Sequence, residues 1–218
     1  MPKNIKIQTI DSLRFGIEIE VEFPHPEESQ KLIEKHRVIK GWDIDYDGSL
    51  DNGAEYRPLN KNKLFFDEDS LDQIKEILGL IGAHKGYANK DCGLHVHIDM
   101  SNFNNKQIVN IVKAFVNNQN KIIKKFRPYK SRLDFACQEI PKEVVSEINE
   151  KVIANIKNDN YNYNDKILDY FMSRQYVLNI QSLVRHNTLE FRIFNSSLKI
   201  KEITEAIKWC LEFCITNS

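Results

Sequence analysis

Two histidines and a carboxylate occupy every second position of "CGLHVHID", Cys92–Asp99. Side chains on a strand alternate between faces with a period of two, so His95, His97 and Asp99 share one face and Leu94, Val96 and Ile98 the other. Two further segments carry the same kind of pattern. "RFGIEIEVEF", Arg14–Phe23, sets Glu18, Glu20 and Glu22 opposite Phe15, Ile17, Ile19, Val21 and Phe23. "NTLEFRIFN", Asn187–Asn195, sets Glu190 and Arg192 opposite Leu189, Phe191 and Ile193. Carboxylates aligned on one strand face repel each other unless water or a cation relieves them. Taken singly, the glutamate row fits a solvent-facing edge strand, and the histidine row fits ordinary sheet hydrogen bonding.

Taken together the three rows point to chemistry. If the strands are antiparallel neighbours, Glu18, Glu20, Glu55, His95 and Glu190 gather with Arg192 and Arg185 into a face of carboxylate and imidazole rimmed by guanidinium. Hard divalent cations favour carboxylate oxygen and accept an occasional imidazole, while arginine matches phosphate bidentately. The mixture suits Mg²⁺ or Mn²⁺ holding the phosphates of a nucleotide. No HExxH and no metal-type cysteine spacing is present, which disfavours a zinc protease. No GxxxxGK[ST] and no GxGxxG occurs either, so metals and arginines would have to hold any nucleotide.

The elements that must position these residues follow from periodicity. Arg14–Phe23 alternates as a strand, and Gly41–Leu59 reads as two short strands around an Asp/Asn/Gly turn, with Glu55 in the second. Leu71, Ile74, Ile77, Leu78 and Ile81 predict a helix over 70–82, capped by Ser70 and ended by Gly82. The apolar set from Ile108 to Phe126 predicts a long amphipathic helix over 104–126, closed by Pro128. A further helix is expected from Pro141 to about Lys157, and a surface loop over Asn158–Asp165. Tyr176–Leu183 and Thr188–Phe194 predict two strands joined by "VRHN", and Ile203–Ile215 a terminal helix whose Trp209 belongs to the core. The basic stretch Lys121–Arg132 reads as a solvated helix end.

The bulk numbers bound the class. The 218 residues suit a single domain, 1–218, of α+β type: an antiparallel sheet with helices packed on its outer face. Lys plus Arg and Asp plus Glu each count 31, for zero net charge, so no global pull towards nucleic acid or an anionic membrane is expected. The apolar runs fall short of a membrane span, and Met1–Asp11 shows no secretory h-region, which gives a soluble, cytoplasmic expectation. Cys92, Cys137, Cys210 and Cys214 form no CxxC pair and read as reduced core thiols.

"FGIEIEVE", "DGSLDNGAEYRP", "CGLHVHID" and "RHNTLEFRIFN", in that order, resemble the amidoligase family, a branch of the carboxylate–amine ligases related to glutamine synthetase and glutamate–cysteine ligase. The four motifs span Phe15–Asn195. The resemblance implies a glutamine synthetase-like catalytic fold and an ATP-dependent reaction that joins a carboxylate to an amine through an acyl phosphate, with two or more Mg²⁺ or Mn²⁺ ions. It also implies roles: Glu18, Glu20, Glu55, His95 and Glu190 as metal ligands, His97 nearer the phosphates, Arg192 on the transferring phosphoryl group and Arg185 as a second clamp. The substrates it implies are a small-molecule or peptide acid and an amine. Glu22, Asp47 and Asp99 lie near motif positions without an assigned role, and Arg57 of "EYRP" stands where relatives commonly have a small residue, which bears on substrate selection. Two other readings stay open at this level: a metal-dependent hydrolase, and a non-catalytic nucleotide or peptide binder. The oligomeric state is open.

Overall fold

The alternation in Arg14–Phe23 produces strand β1 (Arg14–Glu22), and its apolar residues Phe15, Ile17, Ile19 and Val21 are all buried. In this computed structural model, which describes residues 9–27, 31, 38–39, 41–59, 64–159 and 173–218, β1 is a central strand. It pairs antiparallel with β4 (Gly53–Pro58) on one side and with β6 (Gly93–Asp99) on the other. The edge-strand reading of the glutamate row is thereby corrected: both edges of β1 are hydrogen-bonded, and Glu20 and Glu22 are buried.

The sheet runs β2 (Val38–Ile39), β3 (Trp42–Asp47), β4, β1, β6, β8 (Thr188–Asn195), β7 (Leu178–Asn179), while β5 (Leu64–Phe65) pairs with the start of β1. Every pairing among the described strands is antiparallel. Helices α1 (Glu68–Ala83), α2 (Asn105–Phe126) and α6 (Ile200–Asn217) cover the apolar face, with α6 packed on β6, α1 and α2, and α2 on β8. The expected α+β class with an antiparallel sheet holds. At the centre of the layer, Phe191 and Phe194 from β8 meet the Trp209 ring edge-on at 6.0 and 6.1 Å, and Phe126 closes on the same ring at 4.8 Å. Trp209 is partly buried and packs against the core, whereas the sequence reading placed it inside.

Several boundaries differ from the periodicity reading for identifiable local reasons. Helix α1 starts at Glu68 because Asp67, not Ser70, is its cap: the Asp67 carboxylate accepts from the Ser70 N–H at 2.9 Å. It ends one residue beyond Gly82. Helix α2 matches its expected span; Asn104 and Gln107 form a reciprocal capping box, and Arg127 ends it in the left-handed conformation before Pro128. The helix expected over 141–157 divides into a 3₁₀ turn, Lys142–Ser146, and α4 (Glu150–Lys157), because the Asn149 side chain accepts from the N–H groups of Lys151 and Val152 and starts a new helix. The short α3 (Lys130–Phe135) was not anticipated.

The strand expected over 176–183 shrinks to β7, and Ser182–His186 forms the short helix α5. Here Asn187 adopts the left-handed conformation and the Ser182 hydroxyl contacts Thr188 Oγ1 at 2.7 Å, closing the β7–β8 connection with a helical turn rather than a plain loop. Terminal helix α6 is longer than its apolar stripe at both ends. Of the loop expected over 158–165, residues 158–159 form the turn after α4, and 160–165 lie outside the described residues. All four cysteines are free and buried, and among the described residues no helix is long and apolar enough to cross a membrane.

Candidate active site

The face of the sheet away from the helices carries the reactive side chains, and the strand register brings them together. Glu20 lies opposite Glu55 across β1–β4, Glu18 opposite His95 across β1–β6, and His97 opposite Glu190 across β6–β8. Cross-strand partners stand about 5 Å apart, so the period-two rows interlock into one patch. His95 sits at its middle: its Nδ1 is 2.9 Å from Glu18 Oε2 and 3.6 Å from Glu190 Oε1, and its Nε2 is 3.2 Å from Glu20 Oε1.

Two groups of donors flank His95. Ligand atoms of Glu18, His97 and Glu190 lie within 4.8 Å of one another, as do those of Glu20, Asp47 and Glu55. His97 is held by a hydrogen bond between its Nδ1 and Thr188 Oγ1 at 3.0 Å, which turns Nε2 towards Glu18 Oε1 at 3.3 Å. Fixing one ring nitrogen in this way is how metal-binding histidines are usually oriented. Among the described residues, the buried Nε2 atoms of His95 and His97 have no hydrogen-bond partner. Glu190 is tied from both sides, accepting from Asn179 Nδ2 and from Arg192 Nη1, each at 2.6 Å. The donor chemistry therefore fits hard divalent cations: mostly carboxylate oxygen, one imidazole, and unsatisfied nitrogen in a buried setting.

The electrostatics of the patch carry the same message. Burial disfavours the imidazolium of His97, yet Glu190 and Glu18 overcome it and raise its pKa. Burial also works against the Glu18 carboxylate, but His97 and His95 hold it well below the usual range, and His97 with Arg192 lowers Glu190 despite its burial. Glu55 goes the other way: burial, reinforced by Glu18, pushes it up to about 8, with Arg57 offsetting only part. The raised pKa values of His97 and Glu55 favour, in the ion-free protein, protons that lessen the negative charge a cation would otherwise neutralise.

Arg57 lies at the β3–β4 end of this face. It donates to Glu55 Oε1 at 2.8 Å, to Asp43 Oδ2 at 3.0 Å and to Asp45. Arg185, on α5, is exposed and lines a depression with Glu18, His97, Asn179, His186 and Glu190. The other unassigned acids separate cleanly. Asp47 joins the second donor group, whereas Glu22 accepts from Asn89 Nδ2 at 2.8 Å and Tyr87 Oη at 3.2 Å and so anchors the loop before β6. Asp99 accepts from the Ser101 N–H and hydroxyl at 2.8 and 2.6 Å and closes a turn.

Three contributors escaped the sequence reading. Asn179 and Thr188 hold Glu190 and His97; Asn179 is a lone polar residue in the apolar run "VLNI", a signal that could have found it, whereas Thr188 carries none. Arg132 was assigned to a solvated helix end, but it is 2% exposed and turned inward beneath β8; the charge count of its segment hid it.

An antiparallel sheet that carries carboxylates, imidazoles and a guanidinium on its open face, with helices on the other, defines an α+β protein whose reactive groups sit on strands rather than loops. The chain matches the family model described as "Putative amidoligase enzyme" over residues 11–214, and it belongs to that family. The membership makes it an enzyme of ligase type. No curated protein and no solved structure matches it.

Proposed function

We propose that the protein is an ATP-dependent carboxylate–amine ligase with a glutamine synthetase-like catalytic domain spanning 1–218, and that it forms an amide bond through an acyl phosphate. The observation that carries this reading is the juxtaposition of two acidic donor groups with Arg192, whose guanidinium already grips Glu190. Glu18, His97 and Glu190 would hold one Mg²⁺ or Mn²⁺ ion, and Glu20, Asp47 and Glu55 a second, with His95 joining the carboxylates of both groups. When bound, such ions neutralise the phosphate oxygens of ATP and the charge that develops on transfer.

The chain's own residues do the rest. Arg192, oriented by Glu190, meets the γ-phosphoryl group, and Arg185 at the mouth supplies a second contact. A carboxylate oxygen of the acid substrate attacks the γ-phosphorus; the bond from that phosphorus to the bridging oxygen breaks and ADP leaves. The uncharged amine then attacks the acyl carbon, the C–O bond to phosphate breaks, and inorganic phosphate departs as the nitrogen loses a proton. No protein nucleophile takes part, consistent with cysteines that are all buried. The substrates in this reading are a small-molecule or peptide acid and an amine, and the reaction is cytoplasmic.

Hydroxylamine tests the reading without knowledge of the amine, because it captures acyl phosphates as hydroxamates. Incubation with ATP, Mg²⁺, hydroxylamine and a panel of amino acids and peptides should yield a hydroxamate with matching ADP, and Arg192→Lys should reduce the yield by two or more orders of magnitude, on the order of a lost oxyanion contact. Hydrolysis of a panel substrate without ATP would favour the metal-dependent hydrolase instead.

A further inference from the structure

Pairing between β6 and β8 slips in the middle of the site. Leu94 pairs with Phe194 and Val96 with Phe191, so β8 carries one extra residue against β6 around Arg192 and Ile193. Such a bulge re-aims side chains and frees main-chain groups from the ladder. It keeps both Phe191 and Phe194 on the helix side, where both meet Trp209, and leaves Arg192 on the open face beside Glu190 and His95. What holds the bulge is Arg132. Its Nη2 donates to the carbonyl of Arg192 at 2.9 Å and its Nη1 to the carbonyl of Phe194. These are the carbonyls on either side of the extra residue.

Two further observations give the arrangement its shape. The segment that carries Arg132 also touches the Arg192 side chain, since Ala136 O accepts from Arg192 Nε at 3.3 Å. Arg192 is thus gripped by one segment through both its carbonyl and its guanidinium. Gly93 makes the room: a Cβ there would overlap Arg132 Nη2 and lie 2.9 Å from His95 Nε2. The glycine of "CGLHVH" is therefore explained by the guanidinium stacked against it, since its φ is not in the left-handed region. Arg132 itself is too deeply buried to touch a substrate.

We propose that Arg132 is a positioning residue that fixes the β8 bulge by its two carbonyl hydrogen bonds and thereby aims Arg192 at the phosphoryl group. The catalytic consequence rests on the ligase reading; the positioning does not. Because Arg132 acts only through Arg192, its loss should be felt at the Arg192 guanidinium and should disappear when Arg192 is already altered.

The test follows the Arg192 Nε–H signal in ¹⁵N spectra of the full chain, assigned by its loss in Arg192→Lys. In Arg132→Lys, Arg132→Met and Gly93→Ala proteins that retain a cooperative melt, the signal should move towards that of free arginine and exchange with solvent about tenfold faster. Binding of a non-hydrolysable ATP analogue with Mg²⁺ should weaken roughly tenfold in Arg132→Lys, as when the partner that orients a site residue is removed, and no further in the double variant than in Arg192→Lys alone. An unmoved Arg192 signal in a folded variant, or additive losses, would overturn the proposal. Unfolding of all three variants would also overturn it, by assigning Arg132 to general stability. If wild-type protein binds no analogue while the Arg192 signal responds to Arg132, the positioning stands and the ligase reading falls.

Discussion

Glu55 and His97 belong to the two donor groups on either side of His95, and the pKa of each is raised. Glu55 is pushed up to about 8, and His97 is raised above its ordinary 6.5 by Glu190 and Glu18. At pH 7 the Glu55 carboxyl of the ion-free protein therefore keeps its proton, and cation binding there should release it. Affinity for Mg²⁺ or Mn²⁺ should fall as pH drops below 7 and rise up to about pH 8, where Glu55 ionises unaided. Calorimetry in buffers of different ionisation heat measures the release directly. Glu55→Gln should remove the part that belongs to the second donor group; equal release from both proteins would contradict the assignment. Glu18, Glu20, His95, His97, Glu190 and Arg192 were all legible in the sequence because each occupies an alternating strand position. Asp47 and Arg132 were not, since their roles depend on which strand or helix end lies beside them.

The β3–β4 hairpin and β8 show what elements add to those residues. Across β3–β4, Asp43 and Asp45 stand opposite Arg57 and Glu55, and Arg57 pairs with all three carboxylates. Arg57→Gln should lower stability by about 1–2 kcal/mol, in the range for hydrogen bonds to charged groups that are partly solvated, and added Mg²⁺ should restore part of it by taking up Glu55. Thermal melts with and without the ion check this, and an unchanged melting temperature would show that water already screens the cluster. The hairpin was readable from its Asp/Asn/Gly turn, as were β1, β6 and α2 from their periods. The 3₁₀–helix break at Asn149 and the α5 turn at Ser182 were not, because the Asn149 side-chain cap decided the first, and left-handed Asn187 with the Ser182–Thr188 contact accompanies the second. The bulge in β8 was hidden for a different reason: "LEFRI" alternates, the break at the consecutive apolar pair Ile193–Phe194 reads equally as a strand end, and only pairing with β6 shows the extra residue.

At the scale of the molecule, one antiparallel sheet is asked to do two incompatible things and divides them between its faces. Its apolar face, with Phe15, Ile17, Val96 and Phe191 in the core it shares with the helices, supplies burial, while its open face concentrates like charges that cost stability unless a cation neutralises them. Central placement of β1 and β6 is what makes that tension useful, since a site on paired inner strands is rigid in a way that a loop site is not. The proposed function rests on cation-dependent nucleotide binding at this face. The measurement that tests it most directly is calorimetric titration of a non-hydrolysable ATP analogue, with and without Mg²⁺, into wild-type and Glu20→Gln protein. Binding that requires the ion and weakens in Glu20→Gln is the predicted result; no binding under any metal condition, or equal binding by both proteins, would contradict it.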